Sequence, residues 1–304
     1  MSEQHINNFV FYQKKIYNRI NKYLLRIFNK LSLNNSPLVE VMKYGALFGG
    51  KRLRPFLTYA VGSMLGLNKK NLDAPAAAVE CIHAYSLIHD DLPAMDNDLL
   101  RRNKPSCHIK YGEYNAILAG NALQSLAFQL LSTENLPDVK DKDRIIMIAE
   151  LAQSSGVSGM CGGQSLDIYT KDKDIDSMLI EYIYQHKTVA IIRTAIRLGA
   201  YAAGENGRRL IPTLDKYAES IGFAFQVQDD ILDFKNKNDL INKQNFNSKH
   251  SKNTYTKLLG LKLSKKKIND LHHDAITALD QIQNFNYNTS MLKAITNFII
   301  KRKN

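Results

Sequence analysis

The sequence has no tryptophan, and its 304 residues include only 3 cysteines, 7 prolines and 16 glycines. An odd and small number of cysteines in a chain of this length does not form a disulfide framework, which favours a reducing compartment, so we expect a cytoplasmic protein. The low glycine and proline content excludes collagen-like and other fibrous chains.

Long apolar runs are also missing. No uninterrupted apolar stretch approaches the roughly 20 residues that a membrane-spanning helix needs. The first residues, MSEQHINNFVFYQKK, lack the basic start and apolar core of a signal peptide. We therefore expect neither a signal peptide nor stable membrane insertion.

Hydrophobic residues make up 44% of the chain, which excludes disorder as its main state, and the net charge is +12. The positive charge is unevenly spread: residues 235–267 carry +9, residues 1–50 carry +5 and residues 301–303 carry +3, so the rest is net acidic. Basic residues do not alternate with aromatic ones, and no nucleic-acid-binding module is present, so we expect no nucleic-acid partner.

Helical periodicity dominates the sequence. In residues 74–89 apolar side chains recur every three or four positions, and the same spacing is found in residues 188–203 and 214–234. Strand-like alternation of useful length is absent. The pattern predicts one all-α domain of long helices over residues 1–304, with an exposed basic loop at residues 235–253, which are rich in Lys and Asn.

Four aspartates fall within nine residues in the stretch HDDLPAMDND, residues 89–98, directly after an apolar helix. Carboxylates at a helix C-terminus oppose the helix dipole and repel one another, so a purely structural role for this turn is disfavoured. Oxygen-only ligands suit Mg²⁺, which completes its shell with water and substrate phosphates. This first aspartate cluster therefore predicts a magnesium site.

A second aspartate cluster follows about 130 residues later in FQVQDDILD, residues 225–233. Asp229 and Asp233 are four positions apart and share a helix face, with Asp230 alongside. Three acids on one exposed helix face are common, so this cluster alone leaves a solvated surface open as an alternative. Two such clusters, each ending an apolar helix, indicate several Mg²⁺ ions that clamp a diphosphate. Neither has the His or Cys content of a zinc site.

Basic residues complement the acidic clusters. The stretch GGKRLRP, residues 49–55, places three cations after two glycines, and Arg101 and Arg102 follow the first cluster with guanidinium groups suited to phosphate. His83 lies two helical turns before Asp90. A surface turn for the first motif and a core role for His83 remain the structural alternatives.

Five motifs in this order and spacing, GGKRLRP, HDDLPAMDNDLLRR, GGQSLD, HKT and FQVQDDILD, resemble those of the head-to-tail trans-prenyltransferases, the polyprenyl diphosphate synthases. Within that family the chain is similar to the bacterial synthases that make the C15 product, farnesyl diphosphate. The resemblance runs from about residue 30 to the C-terminus. It implies a bundle of long helices around a central cavity, and a homodimer.

The resemblance also implies a reaction, the condensation of isopentenyl diphosphate with dimethylallyl and geranyl diphosphates. Mg²⁺, at three ions per site and with Mn²⁺ as a substitute, would be held by Asp90, Asp91, Asp96, Asp229, Asp230 and Asp233. The residues implied for the allylic diphosphate are Arg101, Lys187 and Lys252. Those implied for isopentenyl diphosphate are Gly50, Lys51, Arg54, His83 and Arg102. Lys187 is also implied as a catalytic residue. Thr188 and Gln226, the other two implied catalytic residues, would offer oxygen dipoles to an allylic cation.

Product length is implied by Tyr85 and Ser86, one turn before the aspartates, where a bulky ring would stop chain growth at three isoprene units. A C10 or C20 synthase, or a non-catalytic subunit of one, is the alternative. The chain departs from the family pattern at Asn103, at Asn121 and in residues 241–247, where Lys243 would replace a displaced lysine.

Overall fold

A computed structural model of the chain describes residues 3–241 and 253–302, with side chains described for residues 9–235, 253–300 and 302. The helices in chain order are α1 (Glu3–Lys30), α2 (Pro37–Leu47), α3 (Leu53–Met64), α4 (Asp73–Asp90), α5 (Cys107–Tyr111), α6 (Glu113–Thr133), α7 (Asp141–Ser155), α8 (Met160–Tyr169), α9 (Ser177–Tyr184), α10 (Ala190–Tyr201), α11 (Glu205–Arg208), α12 (Ile211–Ile241), α13 (Tyr255–Gln283) and α14 (Ser290–Lys301). A 3₁₀ turn (Lys69–Asn71) precedes α4, and a π-helical turn (Gln185–Val189) joins α9 to α10.

The all-α prediction is confirmed. In the part of the chain that is described, strand structure is limited to one short antiparallel hairpin, β1 (Leu100–Arg101) with β2 (Lys104–Pro105). The three periodic segments correspond to α4, α10 and α12. No helix among the described residues is long and apolar enough to cross a membrane.

The predicted loop at residues 235–253 begins later than the sequence indicated. Helix α12 continues to Ile241, because the Lys and Asn residues that follow Phe234 add to an existing helix instead of starting one. Residues 242–252, which include Lys243 and Lys252, lie outside the described residues.

The chain divides into two compact units, and the first comprises Met1–Leu151 with Arg197–Arg208. Its central element is α4, whose alanine-rich N-terminal half is buried. Small residues let the neighbouring helix approach closely: a Cβ on Gly120 of α6 would lie 2.0 Å from Nε2 of His89 on α4. The end of α4 that carries the first aspartate cluster is therefore held tightly against α6.

Part-buried hydrogen bonds fix the N-terminal helix to this unit. Arg19 of α1 donates to both oxygens of Asp73, at 2.6 and 2.7 Å, and the Tyr59 hydroxyl donates to Asp73 Oδ1 at 2.5 Å. Asn21 Oδ1 accepts from Arg52 Nε at 3.0 Å. Helix α1 thereby braces both the start of α4 and the loop before α3.

The second unit comprises Ala152–Ile196 and Arg209–Asn304. Its core combines buried side chains of α9, the π-helical turn, α12 and α13, namely Ile180, Ile183, Tyr184, Val189, Phe223, Val227, Ile231, Tyr255 and Ile268. Helix α13 breaks at Gly260, whose φ of 78° is outside the helical region. The single domain over residues 1–304 and the central cavity stay predictions.

Candidate active site

The first aspartate cluster sits where α4 ends. The Asp96 amide donates to the carbonyl of Asp90 at 2.9 Å, and the Asn97 amide donates to the carbonyl of Leu92 at 3.0 Å. These bonds fold the chain back on the helix end, with Asn97 in the left-handed region at φ 54°. The backbone of Asp96 is thereby brought next to that of Asp90, although six positions separate them.

Asp91 differs from its neighbours because it is buried, at 3% exposure, and held by Arg101. Arg101 Nε donates to Asp91 at 3.0 Å, its Nη2 donates to the same carboxylate, and Nη2 also lies 3.2 Å from Asp98. Burial raises the pKa of Asp91, and the Arg101 guanidinium opposes that rise. The structure thus joins two residues that the resemblance assigned to metal and to diphosphate, roles that stay predictions.

The glycine-rich basic loop forms a left-handed turn. Gly49 and Gly50 have φ of 72° and 93°, and Arg52 has φ of 50°. A Cβ on Gly50 would lie 2.7 Å from Nη2 of Arg102, so a side chain there would displace the flexible end of Arg102, and the positive φ would strain it. Arg102 Nη1 donates to the Phe48 carbonyl at 2.7 Å. Gly50 and Arg102, both implied for isopentenyl diphosphate, are therefore adjacent.

His83 lies among arginines. Burial lowers its pKa well below the ordinary value, and the positive charges of Arg54, Arg102, Arg52 and Arg101 lower it further. The histidine is therefore neutral, in a positive field that suits an anionic ligand. The structure groups His83 with Arg54 and Arg102, three of the residues implied for isopentenyl diphosphate.

Tyr85 and Ser86 lie one turn before the aspartates. Tyr85 is buried, with its ring edge-on to His89 at 5.7 Å between centroids. Ser86 is half-buried, and its hydroxyl donates to the His83 carbonyl at 3.0 Å. Of the two, Tyr85 supplies the bulk.

In the second aspartate cluster, as in the first, the second aspartate of the adjacent pair is buried and the others are more exposed. Asp230 is buried at 4% exposure, whereas the Asp229 side chain is 38% exposed and Asp233 is exposed. Asp230 Oδ2 accepts from the Tyr184 hydroxyl at 2.5 Å and from the Tyr255 amide at 2.9 Å. Burial raises the pKa of Asp230 to about 6, and these hydrogen bonds oppose the rise.

The HKT motif lies in the π-helical turn between α9 and α10. Lys187 Nζ lies 2.6 Å from Asp167 Oδ2, and the Thr188 hydroxyl donates to Gln226 Oε1 at 2.9 Å. A Cβ on Gly163 would lie 2.3 Å from the Lys187 backbone nitrogen, which explains the second glycine of GGQSLD by close approach. Single-turn π-helices occur frequently at functional sites.

The donor chemistry of both clusters fits Mg²⁺. Each offers carboxylate oxygens, and in each the first aspartate of the pair, Asp90 or Asp229, is more exposed than the second. Among the described residues no three acidic, histidine or cysteine side chains form a ready-made metal cage. Mg²⁺ is usually bound through one or two carboxylates together with waters and substrate phosphates.

Several residues of these sites carried no role in the sequence-based prediction. Asp167 is the last residue of the motif GGQSLD. As an acidic residue within a recognised motif, it could have been expected to pair with a cation. The others had no local signal, because their partners are distant along the chain: Glu80 pairs with Arg52, Tyr184 and Tyr255 contact Asp230, and Arg302 pairs with Asp229.

The departures from the family pattern are partly explained. Asn103 has φ of 60°, a conformation that Asn tolerates, so it can stand in the hairpin turn where the family usually has Gly. Asn121 is exposed on α6. The residues that follow Ile241 up to 247 lie outside the described residues.

Comparison with known proteins identifies the family. The polyprenyl synthetase family model matches residues 35–287. The chain is 56% identical to the farnesyl diphosphate synthase of Escherichia coli strain K12 over 283 residues, 93% of this chain and 95% of that protein. It is 39% identical to the large subunit 1 of the chloroplastic heterodimeric geranylgeranyl pyrophosphate synthase of Arabidopsis thaliana, covering 87% of this chain and 72% of that protein.

Solved structures agree. The geranyltransferase of Legionella pneumophila superposes with a TM-score of 0.86 at 31% identity, covering 98% of both chains. An FPP/GFPP synthase of Zymomonas mobilis gives 0.83 at 34% identity, covering 97% of this chain and 99% of that one. With the motifs and the all-α fold, these matches establish that the chain belongs to the polyprenyl synthetase family.

Proposed function

We propose that this chain is a farnesyl diphosphate synthase, which condenses isopentenyl diphosphate head to tail with dimethylallyl diphosphate and then with geranyl diphosphate. Relatives with that name in Escherichia coli and Haemophilus influenzae are 56% and 47% identical over at least 93% of this chain. The observation that carries the proposal is the content of α4: within two turns it holds His83 among arginines, the buried ring of Tyr85 and Asp90 at its end.

In the proposed reaction the carbon–oxygen bond of the allylic substrate breaks, and the bonding electrons leave with the diphosphate. The double bond of isopentenyl diphosphate then attacks the allylic cation, a carbon–carbon bond forms, and a proton passes to the released diphosphate. Thr188 and Gln226 would turn oxygen dipoles toward the cation without offering a nucleophile that traps it. Lys187 would hold the allylic diphosphate, and its ion pair with Asp167 supports its placement.

The anion sites follow from the arginines. Arg54, Arg102 and Lys51 would hold isopentenyl diphosphate, with Gly50 allowing the backbone to come close. His83, neutral in this field, would donate a hydrogen bond without adding charge. Arg101 would contact the allylic diphosphate while it keeps Asp91 in place. Lys243 and Lys252 keep the roles that the resemblance implies.

Three Mg²⁺ ions per site are proposed, with Mn²⁺ as a substitute, and the six aspartates would hold them. When bound, Mg²⁺ supplies positive charge that stabilises the diphosphate as a leaving group. Asp90, Asp96, Asp229 and Asp233 are the proposed direct ligands, because they are the more exposed members of the clusters. Asp91 and Asp230 would support them from buried positions.

The product is proposed to be the C15 chain. The buried ring of Tyr85 would limit growth, with Ser86 beside it. A C10 or C20 synthase is the alternative, and the relatives of the chain include proteins named as geranylgeranyl pyrophosphate synthases.

A homodimer in the cytoplasm completes the proposal. Helix α6 carries an exposed apolar face made of Tyr114, Ile117 and Leu118, at 69%, 42% and 49% exposure, which a second copy of the chain would cover. Cys81, Cys107 and Cys161 are free thiols, as a reducing compartment would keep them.

The proposal is tested by incubating the protein with labelled isopentenyl diphosphate and either dimethylallyl or geranyl diphosphate, with Mg²⁺ or with a chelator. Products are dephosphorylated and separated by chain length. A metal-dependent C15 product is expected from both allylic substrates. Absence of any metal-dependent product would overturn the enzyme assignment, and a C10 or C20 product would overturn the chain length alone.

A further inference from the structure

Arg302, at the end of the described chain, lies against the second aspartate cluster. Its amide donates to the Phe298 carbonyl at 3.0 Å and closes α14. Its Nη2 lies 2.5 Å from Oδ1 of Asp229 and donates to the Phe225 carbonyl at 2.8 Å. One guanidinium nitrogen thus bridges α12 backbone and an aspartate of the cluster.

Further contacts hold Arg302 there. Gln228 Nε2 donates to the Arg302 carbonyl at 3.0 Å, and the guanidinium carbon lies 4.1 Å from the ring centroid of Phe225. The Arg302 side chain is 5% exposed, whereas that of Asp229 is 38% exposed. The cation is therefore buried beneath a carboxylate that water still reaches.

The buried guanidinium is incompletely satisfied. Its Nε is buried and has no hydrogen-bond partner in the described part of the chain. Burial lowers the pKa of Arg302, and the charges of Asp229 and Asp233 oppose that effect. An ion pair held under a desolvation cost is one that a stronger competing charge can separate.

We propose that Arg302 is an internal counter-ion that competes with Mg²⁺ for Asp229. The inference rests on the proposed function, because Asp229 is assigned there as a metal ligand. A divalent cation on Asp229 would repel the guanidinium strongly at so short a distance. Binding of the metal therefore requires Arg302 to leave Asp229, which couples the position of the C-terminus to the metal content of the second cluster.

Metal affinity gives the first test. Binding of Mn²⁺ to the full chain is followed by electron paramagnetic resonance, and the sites that Asp229→Asn removes are taken as the second-cluster sites. In Arg302→Gln these sites should bind Mn²⁺ about tenfold more tightly, because a competing positive charge is gone. Lys293→Gln, on α14 and in an ion pair with Asp280, is the matched control and should bind as the wild type does.

A second test needs no variant. Hydrogen–deuterium exchange of the C-terminal peptide of the wild-type protein should become faster on addition of Mg²⁺ alone, because the contacts of Arg302 are released. Supporting results are the tighter Mn²⁺ binding, its disappearance in an Asp229→Asn background, and the faster exchange. Unchanged or weaker Mn²⁺ binding in Arg302→Gln overturns this inference and leaves the proposed metal site standing. Mn²⁺ binding that Asp229→Asn leaves unaltered overturns both.

Discussion

Tyr184 donates a hydrogen bond of 2.5 Å from its hydroxyl to Oδ2 of Asp230, and this bond begins a chain that ends at Thr188. Asp230 Oδ1 accepts from Nε2 of Gln226 at 3.3 Å, and Oε1 of Gln226 accepts from the Thr188 hydroxyl at 2.9 Å. The Gln226 amide has one donating and one accepting side, so its contact with Asp230 sets the direction of its oxygen. Tyr184 is thereby a positioning residue for Gln226 and Thr188.

Replacement of Tyr184 by Phe should lower kcat more than it changes KM. The variant removes one hydrogen-bond donor from buried Asp230. An unsatisfied buried group costs about 1–3 kcal/mol, and this cost weakens the hydrogen-bond chain from Asp230 to Thr188. We expect kcat to fall about tenfold, since 1.36 kcal/mol of barrier corresponds to that factor, with the KM of both substrates within about twofold of wild type. Steady-state kinetics with geranyl and isopentenyl diphosphates measures both.

Tyr182→Phe is the matched control for Tyr184→Phe. Tyr182 lies on the same helix, is 53% exposed and contacts His186 through its ring, which Phe retains. Its kcat should match the wild type. A Tyr184→Phe variant with unchanged kcat, or one whose defect lies entirely in KM, would show that the hydrogen-bond chain does not act on the reaction.

Replacement of Tyr85 by Ala should lengthen the product. The buried ring is removed at a depth one turn before Asp90, so the growing chain gains space that the wild type fills. C20 and longer products are expected in place of C15, measured by chromatography of the dephosphorylated products. The unfolding free energy should also fall, by roughly 3–5 kcal/mol as for other buried aromatic-to-Ala changes.

Tyr85→Phe separates the ring from its hydroxyl. The Tyr85→Phe variant keeps the bulk of the ring and should keep the C15 product. A loss of stability in Tyr85→Ala would not by itself change the length of the product. An unaltered product length in Tyr85→Ala, with the variant folded, would remove Tyr85 from the role of chain-length limit.

Breaking the ion pair between Arg52 and Glu80 should destabilise the protein and weaken isopentenyl diphosphate binding. The two side chains are almost fully buried, with Nη1 of Arg52 2.5 Å from Oε1 of Glu80. Glu80→Gln leaves a buried guanidinium without its counter-charge, at a cost of roughly 3–5 kcal/mol. Arg52 also holds the left-handed turn between Lys51 and Arg54, so the KM for isopentenyl diphosphate should rise while that for geranyl diphosphate changes less.

Arg26→Gln is the comparison for that variant. The pair of Arg26 with Glu134 is 3.6 Å long and partly exposed, so its loss should cost less than about 1 kcal/mol. Denaturant unfolding of both variants measures the difference. Equal losses in the two variants would contradict the special role of the buried pair.

The sequence predicted the helices and both aspartate clusters, because each depends on residues that are near one another in the chain. It did not separate Asp91 from Asp90, or Asp230 from Asp229. Burial makes that difference, and it depends on partners such as Tyr184, 46 positions before Asp230. Asp229 and Asp230 are chemically identical until the fold places a tyrosine against one of them.

Local composition misled in one place. The Lys- and Asn-rich residues after Phe234 predicted a loop, but α12 extends to Ile241. Extending a helix adds one hydrogen bond for each residue fixed, so weak helix formers can follow a well-packed helix that they could not start. The contact of Arg302 with Asp229 carried no signal either, since a basic C-terminus has many solvated alternatives.

His83 should make the stability of the protein depend on pH. Its pKa is lowered by burial and by Arg54, Arg102, Arg52 and Arg101, so the folded state stays unprotonated where the unfolded state binds a proton. The unfolded histidine titrates near its ordinary value of about 6.5, so the unfolding free energy should fall as the pH drops below about 6.5.

His83→Gln should remove this part of the pH dependence, because Gln has no proton to bind. Between about pH 7.5 and pH 5.5 the wild type should lose more unfolding free energy than His83→Gln. The reason is that the unfolded wild type binds an extra proton at the lower pH. Denaturant unfolding at both pH values measures this difference. The wild-type histidine resonance that is absent from the nuclear magnetic resonance spectrum of His83→Gln belongs to His83, and it should show no titration through this range. A histidine that titrates near 6.5 in the folded protein, or parallel stability losses in the two proteins, would mean that the four arginines do not act on His83.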